Sequence, residues 1–257
     1  MYQVSNFMDN DDVKIIDEMG AFRVIEYQRD LSVTPSSAIT AYYSAQMNVK
    51  KRQLACNLAM APVTIQAGAM QWMLGNVNAT TGIKGVGDLF GKAVRGKVSG
   101  ESAIKPEYTG DGLLVLEPTY KYLILMNVAD WGGGVVLDDG LFLACESTLQ
   151  HKAVMRSNFS SAVAGGEGLF NLSLNGSGVF CIESSCPREE LIEVTLQNDV
   201  LKVDGNYAIA WSRSLEFTVE RSGKSLIGSA ASGEGLVNVY RGSGKVLMMP
   251  TAKMPNI

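Results

Sequence analysis

Histidine is almost absent from this chain: there is one, His151, among 257 residues. A Ser-His-Asp arrangement or a multi-histidine metal site therefore has a single candidate to build on. Charge is scarce as well. Acids and bases together make up 19% of residues and the net charge is -4, so no general attraction to nucleic-acid phosphate or to an anionic membrane is expected. Long apolar runs are missing: the longest, such as Tyr122-Leu-Ile-Leu-Met126, fall far short of the roughly 20 residues a membrane-crossing helix needs. Met1 to Asp12 is polar and acidic where an export signal has a basic start and an apolar stretch, so the expected compartment is the cytoplasm. There the four cysteines (Cys56, Cys145, Cys181 and Cys186) are expected as reduced thiols. The Asn-X-Ser/Thr matches at Asn78, Asn158, Asn171 and Asn175 then mean nothing as glycosylation sites.

What is abundant is apolar residue, 46%, enough for a core without disulfides or metal, and glycine, 27 residues, much of it in short polar breaks between apolar runs. Three segments read alike. Tyr108-Thr-Gly-Asp-Gly-Leu-Leu-Val-Leu is followed by Tyr120-Lys-Tyr-Leu-Ile-Leu. Gly165-Gly-Glu-Gly-Leu-Phe-Asn-Leu-Ser-Leu is followed, after Asn175-Gly-Ser-Gly, by Val179-Phe-Cys-Ile. Ser232-Gly-Glu-Gly-Leu-Val-Asn-Val-Tyr is followed, after Arg241-Gly-Ser-Gly, by Lys245-Val-Leu-Met. Each shows Gly-acid-Gly, a strand, a tight turn (Glu117-Pro-Thr in the first, Gly-Ser-Gly in the other two) and a second strand, which predicts three hairpins near 110–126, 166–182 and 233–249.

A strand, a glycine and a strand also recur upstream, around Gly68, Gly140 and Gly205, at spacings of 72 and 65 residues. The acids Asp111, Glu167 and Glu234 are spaced by 56 and 67. Unequal spacings imply insertions between copies of one unit, and three such units are expected to share a core in a pseudo-threefold arrangement.

Two stretches break the pattern. Gly85 to Lys97 places Val86, Leu89, Phe90, Ala93 and Val94 at helical spacing. Its four bases Lys84, Lys92, Arg95 and Lys97 against Asp88 give a local charge of +3. The N-terminal arm, residues 1–46, predicts a hairpin from Val13-Lys-Ile-Ile and Phe22-Arg-Val-Ile. A helix capped at Thr34-Pro-Ser-Ser should follow, with Ile39, Tyr42, Tyr43, Gln46 and Met47 along it. The apolar helix face is expected to lie on the body of its own chain or of a neighbour.

The run Gln66-Ala-Gly-Ala-Met-Gln-Trp-Met, with Ser99-Gly-Glu-Ser, Gly166-Glu-Gly-Leu-Phe and Gly233-Glu-Gly-Leu-Val, resembles the altered-inheritance-of-mitochondria family over roughly residues 47–250. That family contains uncharacterised bacterial proteins and a mitochondrial inner-membrane relative linked to membrane architecture. The resemblance implies a duplicated double-stranded β-helix, grouped with the tryptophan RNA-binding attenuator protein, and oligomers of unspecified number. It supplies no catalytic residues.

Individual candidates are weighed against plainer roles. His151 sits in a polar break and reads as a surface loop residue. Cys181 and Cys186 have four residues between them, not two, and nothing completes a zinc set. Ser102 lies in Gly-Glu-Ser-Ala-Ile, where Ile104 replaces the second glycine of a nucleophile elbow. Gly85-Val-Gly-Asp-Leu-Phe-Gly91 misses the dinucleotide spacing, and no P-loop run exists. Asp111, Glu167 and Glu234, at equivalent positions, could converge on a cation, although a turn acid accepting backbone N–H bonds is the simpler reading. Lys84, Lys92, Arg95 and Lys97 could meet lipid, phosphate or an acidic partner, or simply be solvated on a helix packed by its other face.

The resulting expectation is an all-β chain with one or two short helices. An arm, 1–46, precedes a body, 47–257, of three units near 47–130, 131–190 and 191–257. No cofactor is expected. The expected role is a non-enzymatic, self-associating scaffold or interaction module, a homo-oligomer with a protein or membrane partner. RNA binding by fold analogy, or a small ligand or cation in a cleft between units, are the alternatives.

Overall fold

The computed structural model describes residues 2–30, 32–81, 105–155, 170–221 and 236–251. The first elements are β1 (Val13–Met19), β2 (Phe22–Tyr27), the helix α1 (Ala38–Gln46), β3 (Arg52–Asn57), β4 (Val63–Ile65) and β5 (Met70–Thr80). Then come β6 (Glu107–Leu116), β7 (Tyr122–Asn127), β8 (Gly134–Leu137), β9 (Phe142–Glu146) and β10 (Gln150–Met155). The last are β11 (Phe170–Asn175), β12 (Val179–Ser184), β13 (Ile192–Asp204), β14 (Ala208–Ser212), β15 (Glu216–Arg221) and β16 (Leu236–Met248). Single 3-10 turns stand at Val128–Trp131 and Arg188–Glu190.

The strands form two sheets. The first runs β1-β2-β3-β6-β4-β9-β12-β7, with β5 also on β6. The second runs β10-β11-β8-β14-β16-β13, with β15 also on β16. The first sheet curls, so that Leu123 and Leu125 of β7, at its far end, pack with Phe22 and Leu54 of β2 and β3. Ile124 and Met126, on the opposite face of the same strand, join Val135, Leu137, Ile209 and Leu247 of the second sheet. Successive side chains of a strand point to opposite faces, so a strand buried on both faces reads as one continuous apolar run. That is why 122–126 shows no alternation.

The three expected hairpins are not there. β6 pairs with β3, β4 and β5, while β7 pairs with β12. β11 and β12 lie in different sheets. Gly242-Ser-Gly244 falls inside β16, which continues through it. The strands flanking Gly68, Gly140 and Gly205 do not pair with each other either: β4 and β5 both lie on β6, β13 and β14 both lie on β16, and β8 and β9 belong to different sheets. Gly-X-Gly here is a kink and not a reversal. A glycine at positive φ bends a strand as readily as it closes a turn, and the local sequence is the same in both cases.

The kinks have a period of their own. Gly110, Gly176 and Gly242 have φ of 120°, 116° and 116°, and 66 residues separate each from the next. A Cβ at Gly110 would lie 2.1 Å from the Asn76 carbonyl oxygen, so no side chain fits there. Val115, Cys181 and Leu247, again 66 apart, lie opposite Ala55, Ala144 and Ala210. β5 runs along all of β6, with β4 on its first half and β3 on its second. β13 runs along all of β16, with β15 on its first half and β14 on its second. Between them, β7 lies along β12 and β8 along β11, with β9 and β10 on their other sides.

One side-chain contact keeps the same period. Glu146 accepts hydrogen bonds from the backbone N–H of Val179 at 3.0 Å and of Ala21 at 3.1 Å. Ser212, 66 residues on, accepts from the N–H of Lys245 at 3.0 Å, itself 66 residues after Val179. Glu146→Gln turns one acceptor into a donor facing an N–H, with an expected cost of about 1–3 kcal/mol. The check is the urea midpoint at unchanged slope; an unmoved midpoint would mean that these contacts add nothing to stability.

Candidate functional site

Among the described residues the sequence-derived candidates do not come together. Asp111 is exposed in the middle of β6, opposite Asn76 and between two glycines. The 66-residue spacing of the positive-φ glycines sets Ser177 and Ser243 at its counterpart positions. Glu167 and Glu234 lie outside the described residues, as do Lys84, Lys92, Arg95, Lys97 and Ser102. His151 belongs to a strand and not a loop: it sits on β10, exposed, opposite Leu174. All four thiols are free. Burial pushes the Cys145 thiol up to about 12 and holds Cys56 and Cys181 well above the ordinary thiol range, which leaves them inert as nucleophiles. No group of three or more potential metal ligands occurs among the described residues.

The concentration of polar chemistry is elsewhere, where the arm meets the body. Arg52 opens β3 and is only 2% exposed. Its guanidinium donates to Glu26 Oε2 at 2.8 Å, to the Asn48 carbonyl at 3.1 Å and side chain at 3.0 Å, and to the Lys50 carbonyl at 3.3 Å. It stacks on the Tyr122 ring, 4.1 Å from the ring centre. Lys50 Nζ reaches Glu26 Oε1 at 3.1 Å and Gln28 at 3.0 Å. Burial alone would raise the Glu26 carboxyl; the hydrogen bonds from Lys50 and Gln28 and the charges of Arg52 and Lys50 outweigh it and hold the pKa below the usual carboxylate range. The cluster fixes the turn after α1 to β2, β3 and β7.

α1 itself is not seated. Ser37 caps it without a side-chain bond to the helix, because its hydroxyl accepts from the Thr34 N–H instead. No residue of α1 is buried. Ile39, Tyr42, Tyr43 and Met47 are 70%, 62%, 65% and 77% exposed. Of the two expected seats for this face, the body of its own chain does not bury it among the described residues. Between the helix and the body lies a groove of 670 Å³, walled by Tyr27, Val33, Ala41, Ala45, Val49 and Tyr120. Its cations are engaged, Lys51 with Asp30 and Arg29 with Asp12. Such a groove can bury an apolar surface and orient it with a polar rim.

Sequence reasoning found the helix and missed the Arg52 cluster. The available signal was Glu26, a carboxylate inside the apolar run Val24-Ile-Glu-Tyr27, which needs a cation once buried.

Among the described residues, no helix is long and apolar enough to cross a membrane. The mitochondrial biogenesis AIM24 family matches residues 43–251. An uncharacterised protein of Streptococcus pyogenes serotype M6 is 31% identical over 192 residues, 72% of this chain and 75% of that protein. The crystal structure of a second Streptococcus pyogenes protein, SPYM3_0169, superposes with a TM-score of 0.58 at 27% identity, covering 80% of this chain and 90% of that one. The fold is thus similar to that of a crystallised protein, and the chain belongs to the mitochondrial biogenesis AIM24 family.

Proposed function

We propose that this chain is a non-enzymatic, self-associating interaction module built from three related β units, with α1 as its docking element. The observation that carries this is the bare helix. A nine-residue helix is too short to hold itself in water and normally draws its stability from an apolar face packed against something. Here the face exists and nothing in the described chain covers it. α1 contains no acid and no base, so two copies of a chain with net charge -4 can meet on it without like-charge repulsion. A role in membrane organisation, suggested by the family's description, would be exercised by the assembly.

Light scattering at tens of micromolar is expected to return a mass above the 27.6 kDa monomer. Tyr42→Lys with Met47→Lys should shift that assembly toward smaller species without lowering the unfolding midpoint, since both positions are exposed. A wild-type monomer at that concentration contradicts the reading.

The groove favours one other reading, a small apolar ligand held under α1, because its volume suits one. Native mass spectrometry of gently purified protein separates the two: a bound small mass on the monomer supports the ligand. RNA binding draws no support from the described cations, many of which are tied up in ion pairs such as Arg241–Glu220 and Lys121–Glu183.

A further inference from the structure

A strand at the edge of a sheet presents unpaired N–H and C=O groups, and proteins that stay monomeric blunt such edges with charge, proline or burial. Among the described edge strands most obey this. β1 carries Lys14, Asp17 and Glu18, and its register slips between Ile15 and Asp17. β13 carries Glu193, Asp199, Lys202 and Asp204, with a slip between Leu196 and Asp199. β15 has Glu216 and Glu220, and β10 has Lys152. β7 has no charge, but Leu123 to Met126 are buried.

β5 is different. Its register on β6 slips once too, between Met70 and Trp72, but its 11 residues, Met-Gln-Trp-Met-Leu-Gly-Asn-Val-Asn-Ala-Thr, include no charged side chain and no proline. None of them is buried. β6 is its one strand partner among the described residues, so the far edge, roughly 37 Å long at the usual rise per residue, faces no other described strand. Met70 and Met73 are 37% and 46% exposed. β13, which occupies the corresponding place along β16, shows the contrast: the same lane, of similar length, carries Glu193, Asp199, Lys202 and Asp204.

We propose that β5 pairs edge to edge with β5 of a second copy, antiparallel across a twofold axis, so that the first sheet continues from one chain into the other. The proposal rests on the reading of the chain as self-associating and assigns it a contact separate from α1. An occupant of this edge must be extended, because only a strand satisfies a row of backbone groups. It must also accept an uncharged edge. A second copy meets both conditions by construction, and the absence of charge is what allows two chains of net charge -4 to approach strand against strand. A twofold contact is closed, so it gives a defined pair and not a growing fibre.

Amide hydrogen exchange on the full chain tests the pairing without mutation. The peptide covering residues 70–80 should exchange at least about tenfold more slowly at tens of micromolar than at a hundredfold dilution, while β13 stays unchanged. Met73→Lys with Asn78→Lys, both on exposed positions, should abolish that difference and reduce the assembled mass by scattering. The α1 pair of substitutions should leave the β5 protection in place. If the wild type assembles, but β5 exchanges equally at both concentrations, the edge pairing is wrong while self-association through α1 stands. If scattering returns a monomer throughout, both fall.

Discussion

Replacing Arg52 by methionine is expected to lower the thermal midpoint by roughly 6–12 °C, corresponding to about 3 kcal/mol for a chain of this size. Methionine keeps the aliphatic stem and removes the planar fork. Left behind are the Asn48 and Lys50 carbonyls without their side-chain donor and a Glu26 carboxylate that is 7% exposed. Breaking a buried pair costs more than the pair contributes, because the surviving charge stays desolvated. Lys50 still reaches Glu26, which places the expected loss at the low end of the range for such pairs. The control is the double change Arg52→Met with Glu26→Gln: removing the orphaned charge should return more than about 1 kcal/mol. Calorimetry of both variants checks it. A single variant that melts within about 2 °C of the wild type would show the cluster to be an ordinary surface ion pair.

The same cluster sets a pH dependence. The Glu26 pKa is lowered in the folded chain, so its contribution is present above the ordinary carboxylate range. It is lost as pH falls through that range and into the folded value. The gap between wild type and Glu26→Gln should therefore be widest near neutral pH and close in acid. A gap that widened on acidification would reverse the sign and the explanation.

The parts of the fold that sequence reasoning reached are those set by local patterns. Alternation in Phe22-Arg-Val-Ile and the Gly20 break specify β1–β2, and the spacing of Ile39, Tyr42, Tyr43 and Met47 specifies α1. The glycine motifs were legible too, but their role in the backbone was not. Gly-acid-Gly at 110, 166 and 233 looks like one motif, yet the structurally recurring element is the positive-φ glycine at 110, 176 and 242. Only the backbone and the strand partners distinguish a kink from a turn, and pairing between strands far apart in sequence leaves no local mark.

The site was less legible for a related reason. Arg52 and Glu26 are 26 residues apart, and Tyr122 is 70 beyond Arg52; three strands of a curled sheet bring them together. The helix face was visible in the sequence, but what lies against it depends on how the chain returns from α1 into β3. The turn at Asn48 to Lys50 is held by the Arg52 cluster, and that holds the helix away from the body.

Removing residues 1–46 is expected to abolish cooperative unfolding, the largest effect of any change considered. The family match begins at residue 43, which would suggest that the arm is dispensable. The structure gives the opposite answer for β1 and β2. β2 pairs with β3 from Phe22 opposite Cys56 to Glu26 opposite Arg52. Phe22, Val24 and Ile25 are completely buried: Phe22 and Val24 among Leu54, Leu116 and Leu123, Ile25 beside Ala55 and Val115 on the other face. Each such side chain contributes roughly 1.5–3 kcal/mol by burial. Deletion also uncovers the residues they cover and leaves Arg52 without Glu26. The combined loss reaches the whole net stability of an ordinary domain, about 5–15 kcal/mol. Deleting only residues 1–12 removes Phe7 and Met8 from the outer cluster around Trp72 and spares the strands, so that variant should stay folded with a lower midpoint. Far-ultraviolet circular dichroism and thermal melts of the two truncations make the comparison. A cooperative melt from the longer truncation, within a few degrees of the full chain, would show that β3 tolerates being an edge and that the arm only covers the body.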